Sequence, residues 1–167
     1  MLQAPQTSYT QFPPVAFAGQ RADSGEFEAT SALAEVVFDC GLGLVKGTAG
    51  GPTPQVKLPT QASDVTNLFK GVSLYQAYRQ PTNTANRYAV GDAVPVVETG
   101  RIWVKIDPTV GATMSDEGPV FLVHSGANAG TFRGDAGVGP SATVVAGAKC
   151  KQGGIAGGIA AVKFNIP

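Results

Sequence analysis

The sequence predicts an all-β fold: a compact antiparallel β-barrel or β-sandwich of short strands, carrying an extended N-terminal arm. Three observations lead there. Glycine and proline supply 22 and 12 of the 167 residues beside 43% hydrophobic residues, a mixture that suits many turns between buried strands rather than disorder. Short runs rich in Val, Ile and Phe recur between those turns, and no stretch holds apolar residues at helical spacing for long. The chain is also long enough to bury one core without cross-links. The expected organisation is an arm at 1–20 and a single β domain at 21–167.

The arm is read from its chemistry. Residues 1–20 contain no charged side chain and carry Pro5, Pro13 and Pro14; proline fixes φ and restricts the residue before it, so neither helix nor central strand suits this segment. Tyr9, Phe12, Val15 and Phe17 still need cover. Such a segment lies across its own domain or across a neighbouring subunit, a frayed terminus being the alternative.

Strands follow in order. Glu35–Asp39 and Gly43–Lys46 are apolar runs cut by glycine, with Val36, Val37 and Phe38 consecutive. The turn-rich "GGPTPQVKLPT" leads to a strand at Gly71–Tyr78, and the loop "QPTNTANRYAVGD" leads to "GDAVPVVETGRIWVKID", read as two strands around Glu98-Thr99-Gly100. Val120–His124 is an apolar strand with "AGTFRGD" as its hairpin partner, and Lys163–Ile166 closes the chain. About eight to ten short strands with frequent turns define a sandwich or barrel.

The single tryptophan sits in the second strand of the quoted pair. Alternation places Ile102, Val104 and Ile106 on one side and Arg101, Trp103 and Lys105 on the other. The apolar side supplies the core, so an indole among cations is either the lid of a second layer or an anchor for another protein surface.

Several classes of function are excluded or unsupported. Twelve Lys plus Arg balance twelve Asp plus Glu, and charged residues make only 14% of the chain, so no basic field exists to neutralise nucleic acid. No apolar run approaches about 18 residues, and the start lacks the basic and apolar regions of a secretion signal, so no membrane partner and a cytoplasmic origin are expected. Cys40 and Cys150 have no metal-ligand spacing; they are two separate core residues, or a pair if the fold joins them. "GLGLVKGT" lacks the glycine and lysine spacing of a phosphate loop, and "AGGPTP" beyond it cannot start a helix. His124 and Ser125 are neighbours on a strand and point to opposite faces, so they make a poor proton relay; the histidine is expected at a surface or interface. Asp116 and Glu117 read as solvated turn charges. No catalytic, metal or cofactor residue is expected.

In order along residues 15 to 135, the phrases "FAGQRAD", "VVFDCGLGLVKGT", "VKLPT", "FKGVSLY", "YAVGDAVPVVETGRIWVKI" and "GPVFLVHSGANAGTFRGD" resemble the structural cement proteins of tailed bacteriophages. The resemblance implies a Gly-Asp turn at Gly91-Asp92, a hairpin through Gly100 and a core strand at Arg101–Ile106. It also implies a non-enzymatic capsid decoration subunit, commonly trimeric, with a dimer as alternative. Its partners would be the major capsid protein and other copies of itself, on the outer capsid surface of the virion after assembly in the host cytoplasm. On that reading Tyr9, Phe12, Val15, Phe17, Arg101, Trp103 and Lys105 form the interface. The rival is a carbohydrate-binding β domain on a phage or cell surface, using Tyr75, Tyr78 and Tyr88 near Arg79, Asn83 and Arg87; a hydrolase would have to depend on His124.

Overall fold

The computed structural model describes residues 16–48, 51–76, 87–137 and 141–166. Tyr9, Phe12 and Val15, and with them Tyr78, Arg79 and Asn83, lie outside these residues. Along the described chain run β1 (Glu28–Ala34), β2 (Phe38–Asp39), β3 (Gly43–Lys46), β4 (Gln55–Lys57), the short helix α1 (Ala62–Leu68), β5 (Phe69–Ser73), β6 (Arg87–Tyr88), β7 (Ala93–Lys105), β8 (Phe121–Val123), β9 (Phe132–Arg133), β10 (Ala142–Val144), β11 (Ala148–Gln152) and β12 (Ile159–Asn165).

Of the two architectures expected, barrel or sandwich, the barrel is present. Strands β1, β4, β3, β5 and β7 hydrogen-bond in that order, and β1 pairs back onto β7 to close the ring. The pair β1–β4 is parallel, and the other pairs of the barrel are antiparallel. Strand β7 then leaves the barrel: Ala93–Thr99 face β1, whereas Thr99–Lys105 pair with β12, which pairs in turn with β11. One strand therefore serves two sheets. A separate three-stranded sheet, β10-β8-β9, covers the second one, and its β8–β9 pairing is the hairpin expected at "AGTFRGD".

Three local expectations need correction. The turn placed at Glu98-Thr99-Gly100 does not exist, because β7 is one 13-residue strand. Gly100 bends it with φ +127, and a Cβ there would stand 2.9 Å from the Glu26 carbonyl oxygen; the glycine marks a backbone crossing, not a reversal. Glu35–Asp39 is not a buried strand either: β1 ends at Ala34, Val36 and Val37 are 39% and 50% exposed, and only Phe38–Asp39 pair, with β6. A strand alternates faces, so three consecutive apolar residues cannot all enter one core. The strand expected at Gly71–Tyr78 runs instead over Phe69–Ser73, and Tyr75 has left the ladder. The turn at Gly91-Asp92 is where the resemblance put it, closed by Asp92 N–H to the Ala89 carbonyl at 3.1 Å.

Two buried clusters fill the structure. One joins Ala32, Ala34, Leu44, Val56, Val94 and Val96 from the barrel strands. The other lies under the second half of β7, where Ile102 and Val104 meet Val162, Phe164, Leu122 and Phe132. Cys40 belongs to the first and Cys150 to the second, both as free thiols. Burial, with Asp39 nearby, pushes the Cys40 thiol up to about 11, which keeps it an inert core group.

Candidate interaction surface

The second half of β7 alternates as its sequence requires. Ile102, Val104 and Ile106 are 0%, 0% and 2% exposed, while Arg101, Trp103 and Lys105 are half-buried on the opposite face. Across the ladder, Lys163 stands opposite Arg101, Ala161 opposite Trp103 and Ile159 opposite Lys105. Lys149 of β11 stands beside Lys163. The indole thus lies in a sheet face edged with cations.

Most of those cations are held by the chain itself. Arg101 is 3.3 Å from Asp23, Lys105 is 2.6 Å from Asp39, and Glu117 is reached by Lys151 at 2.5 Å and Lys149 at 4.0 Å. Burial would raise Asp39, but hydrogen bonds and charge from Lys105 and Arg87 outweigh it and hold the carboxyl below its usual value. Lys163 is exposed and has no ion pair among the described residues. Glu117 is an exposed turn charge, as expected, and the Lys151 ammonium holds it low.

The other edge of β7 is taken by the end of the segment read as an arm. Gly19 N–H donates to the Trp103 carbonyl at 2.7 Å, Trp103 N–H to the Gln20 carbonyl at 2.9 Å, and Ala22 N–H to the Arg101 carbonyl at 2.9 Å. Phe17 packs edge-on against Tyr75 with ring centroids 4.5 Å apart and stays 38% exposed. Residues 16–20 therefore pack on the β strands, and the stretch of β7 around Trp103 is held at both edges, the Trp103 N–H and carbonyl bonding to Gln20 and Gly19.

The aromatic cluster considered for a sugar is differently employed. Tyr75 is covered by Phe17, and Tyr88 is buried with its hydroxyl donating to the Leu74 carbonyl at 2.5 Å. Tyr88 is thus closed to a ligand, and Tyr75 is already engaged by Phe17.

His124 corrects its expectation. It is 6% exposed, not superficial, and neither ring nitrogen has a hydrogen-bond partner; the apolar strand it ends simply carries it inward. Ser125 receives no proton relay from it. Two buried, unpaired nitrogens cost stability, so His124→Leu is expected to leave folding unchanged or to strengthen it by about 1 kcal/mol. Thermal melts check this, and a clear loss would mean that the ring is paired in solution.

Sequence reasoning missed the buried pair Arg133–Asp107, 2.7 Å apart and only 6% and 4% exposed in their side chains. The two positions are 26 residues apart and no local pattern links them. Among the described residues no group of His, Cys, Asp and Glu can hold a metal ion, and no helix is long and apolar enough to cross a membrane.

A closed barrel sharing a strand with a second sheet defines a small, mostly β domain. Its membership follows from comparison. The chain belongs to the family described as Structural cement protein (E217 gp24/Pam3 gp6), which it matches over residues 5–165, a family of structural phage virion proteins. Its fold is similar to that of a chain in the capsid of Myoviridae Phage XM1, with a TM-score of 0.69, 19% identity and 96% of each chain covered. A more distant likeness is to the N base of the head fiber gp8.5 of bacteriophage phi29, at 14% identity, TM-score 0.44, and 84% of this chain and 95% of that one. No curated protein matches the chain.

Proposed function

We propose that this chain is a non-enzymatic cement that binds the outer surface of a phage capsid and clamps adjacent capsomers. Its partners are the major capsid protein and other copies of itself, in a trimer or, as alternative, a dimer. The observation that carries the reading is Trp103, a half-exposed indole on a rigid sheet face ringed by Arg101, Lys105 and Lys163. That is the arrangement of an aromatic anchor with a polar rim. A ligand that binds only the assembled shell stabilises it by RT ln(1 + [L]/Kd), about 2.7 kcal/mol per site at a hundredfold excess over Kd. In this reading residues 1–20 are an arm on the domain 21–167: Phe17 is its docked end, and Tyr9, Phe12 and Val15 reach a neighbouring subunit. The prolines lower the ordering cost of that reach.

The test is occupancy of purified shells and the heat resistance they gain. Trp103→Ala is expected to weaken association by about 2 kcal/mol or more, the scale of an aromatic hot spot, with a smaller loss of folding stability. Equal losses would assign the ring to the core. Deleting Met1–Val15, which leaves the docked residues 16–20 in place, is expected to give a folded domain with reduced occupancy. A shortened chain that binds and protects as well as the whole one ends the clasp reading.

A further inference from the structure

A groove of about 650 Å³ opens beside Lys105, between the Val37–Asp39 stretch, the loop at 127–131 and the turn at 157–159. Phe17, Val37, Leu58, Pro108 and Ile159 give it an apolar lining. Within it stands an ionic group of unequal charge, two cations on one carboxylate. Arg87 Nε meets Asp39 Oδ1 at 3.0 Å, and Lys105 Nζ meets Asp39 Oδ2 at 2.6 Å. Both carboxylate oxygens are thus engaged, whereas the Arg87 and Lys105 side chains remain 60% and 38% exposed. Guanidinium has five N–H donors and ammonium three, so donors remain to face an incoming acceptor.

We propose that this groove receives a segment of the capsid shell subunit that presents an apolar side chain beside an Asp or Glu, the carboxylate seating on Arg87 and Lys105. The proposal rests on the capsid-binding reading above and adds the chemistry of the partner. Charge decides the occupant. The chain's own residues 1–20, which end at the rim with Phe17, contain no acidic side chain and leave the excess cation unanswered, whereas a carboxylate answers it while the apolar neighbour fills the lining. Lys105 also borders the Trp103 face, so anchor and groove form one continuous surface.

Binding of purified shells is measured for the whole protein and its variants at low and moderate salt, with melting temperatures taken in parallel. Arg87→Glu is expected to bind about tenfold more weakly and to lose most of the salt dependence, with Arg87→Lys restoring part of both. Asp39→Asn, which removes the competing carboxylate, is expected to bind at least as tightly as the parent even if it melts lower. A merely structural triad would lose binding together with stability in that variant, which overturns the proposal. If Trp103→Ala weakens binding and Arg87→Glu does not, the capsid reading stands and the groove proposal falls. If Arg87→Glu changes self-association and leaves shell binding intact, the groove joins copies of this chain and the proposal is overturned. Absence of shell binding by the parent protein ends both readings.

Discussion

Arg133→Ala is expected to cost about 3–5 kcal/mol of folding stability and to lower the melting temperature on the order of ten degrees. Asp107 follows the end of β7, and its carboxylate is buried among donors. Arg133 Nη1 lies 2.7 Å from Oδ2, while the Thr109 N–H, the Thr109 hydroxyl and Asn128 Nδ2 reach Oδ1 at 3.0, 2.8 and 2.9 Å. Removing the guanidinium leaves that charge without its counterion, and a buried uncompensated charge costs more than the pair ever contributed. The combined change Asp107→Asn with Arg133→Met, which removes both charges and keeps an oxygen to accept from Thr109 and Asn128, is accordingly expected to recover most of the loss. Acid should act on the same group. Burial would raise the Asp107 pKa, but the Thr109 hydrogen bonds and Arg133 outweigh it and depress it; Asp64 is depressed likewise, its burial outweighed by Thr60 and Gln61. A depressed folded value means stability that is complete above the unfolded carboxylate pKa, about 4, and lost as pH falls through the folded one. The parent should therefore lose stability steeply below about pH 4, and Arg133→Ala less steeply. A loss under about 1 kcal/mol in Arg133→Ala at neutral pH would mean that water replaces the guanidinium without penalty.

Gly71→Ala should be nearly as damaging. Gly71 lies inside β5 with φ +143, and a Cβ there would stand 2.1 Å from the Val97 carbonyl oxygen. Unlike a side-chain obstacle, that oxygen belongs to the strand to which β5 is paired, Val72 lying opposite Val97. Strain at positive φ and displacement of a paired backbone together are expected to cost about 3 kcal/mol or more. Gly91→Ala separates the two causes. It also has positive φ, +83, but nothing lies within 4 Å of its added carbon, so strain alone remains, about 1 kcal/mol. Denaturant unfolding of both variants reads the difference, and equal losses would remove crowding as the cause.

What could be read in the sequence was local. The alternation of Arg101 to Ile106 placed Trp103 correctly between two cations, because a strand's period of two is written in consecutive residues. A barrel was one of two expected architectures, and its closing pair was not foreseen, since β1 meets β7 across 60 to 71 residues, Glu28 opposite Thr99 at one end and Leu33 opposite Ala93 nearer the other. Gly100 misled because a glycine that allows a crossing and a glycine that makes a turn look alike until the crossing segment, Glu26–Phe27, is known. Val36 and Val37 misled because apolar character does not reveal which way a connecting bend faces. The same limit hid the burial of His124, which directly follows β8. For the candidate surface, the sequence supplied Arg101, Trp103 and Lys105 but not their carboxylates: Asp23 and Asp39 lie far from them along the chain and arrive only through folding.

Strand β7 also determines how a pull on this protein would be borne. Its hydrogen bonds to β1 and β5 in the barrel, and to β12 in the second sheet, run across the strand direction, as in any antiparallel ladder. Tension applied near Trp103 along the axis of β7 loads those bonds in shear, so they resist together and do not open one by one from an end. The same tension passes from the sheet that carries the indole directly into a closed ring, which has no free edge there to peel. Tension applied at β11, the outermost strand of that sheet, across the strands would meet only one row of bonds at a time. The fold is thus mechanically anisotropic, strong along the strand that bears Trp103 and weak across the edge farthest from it.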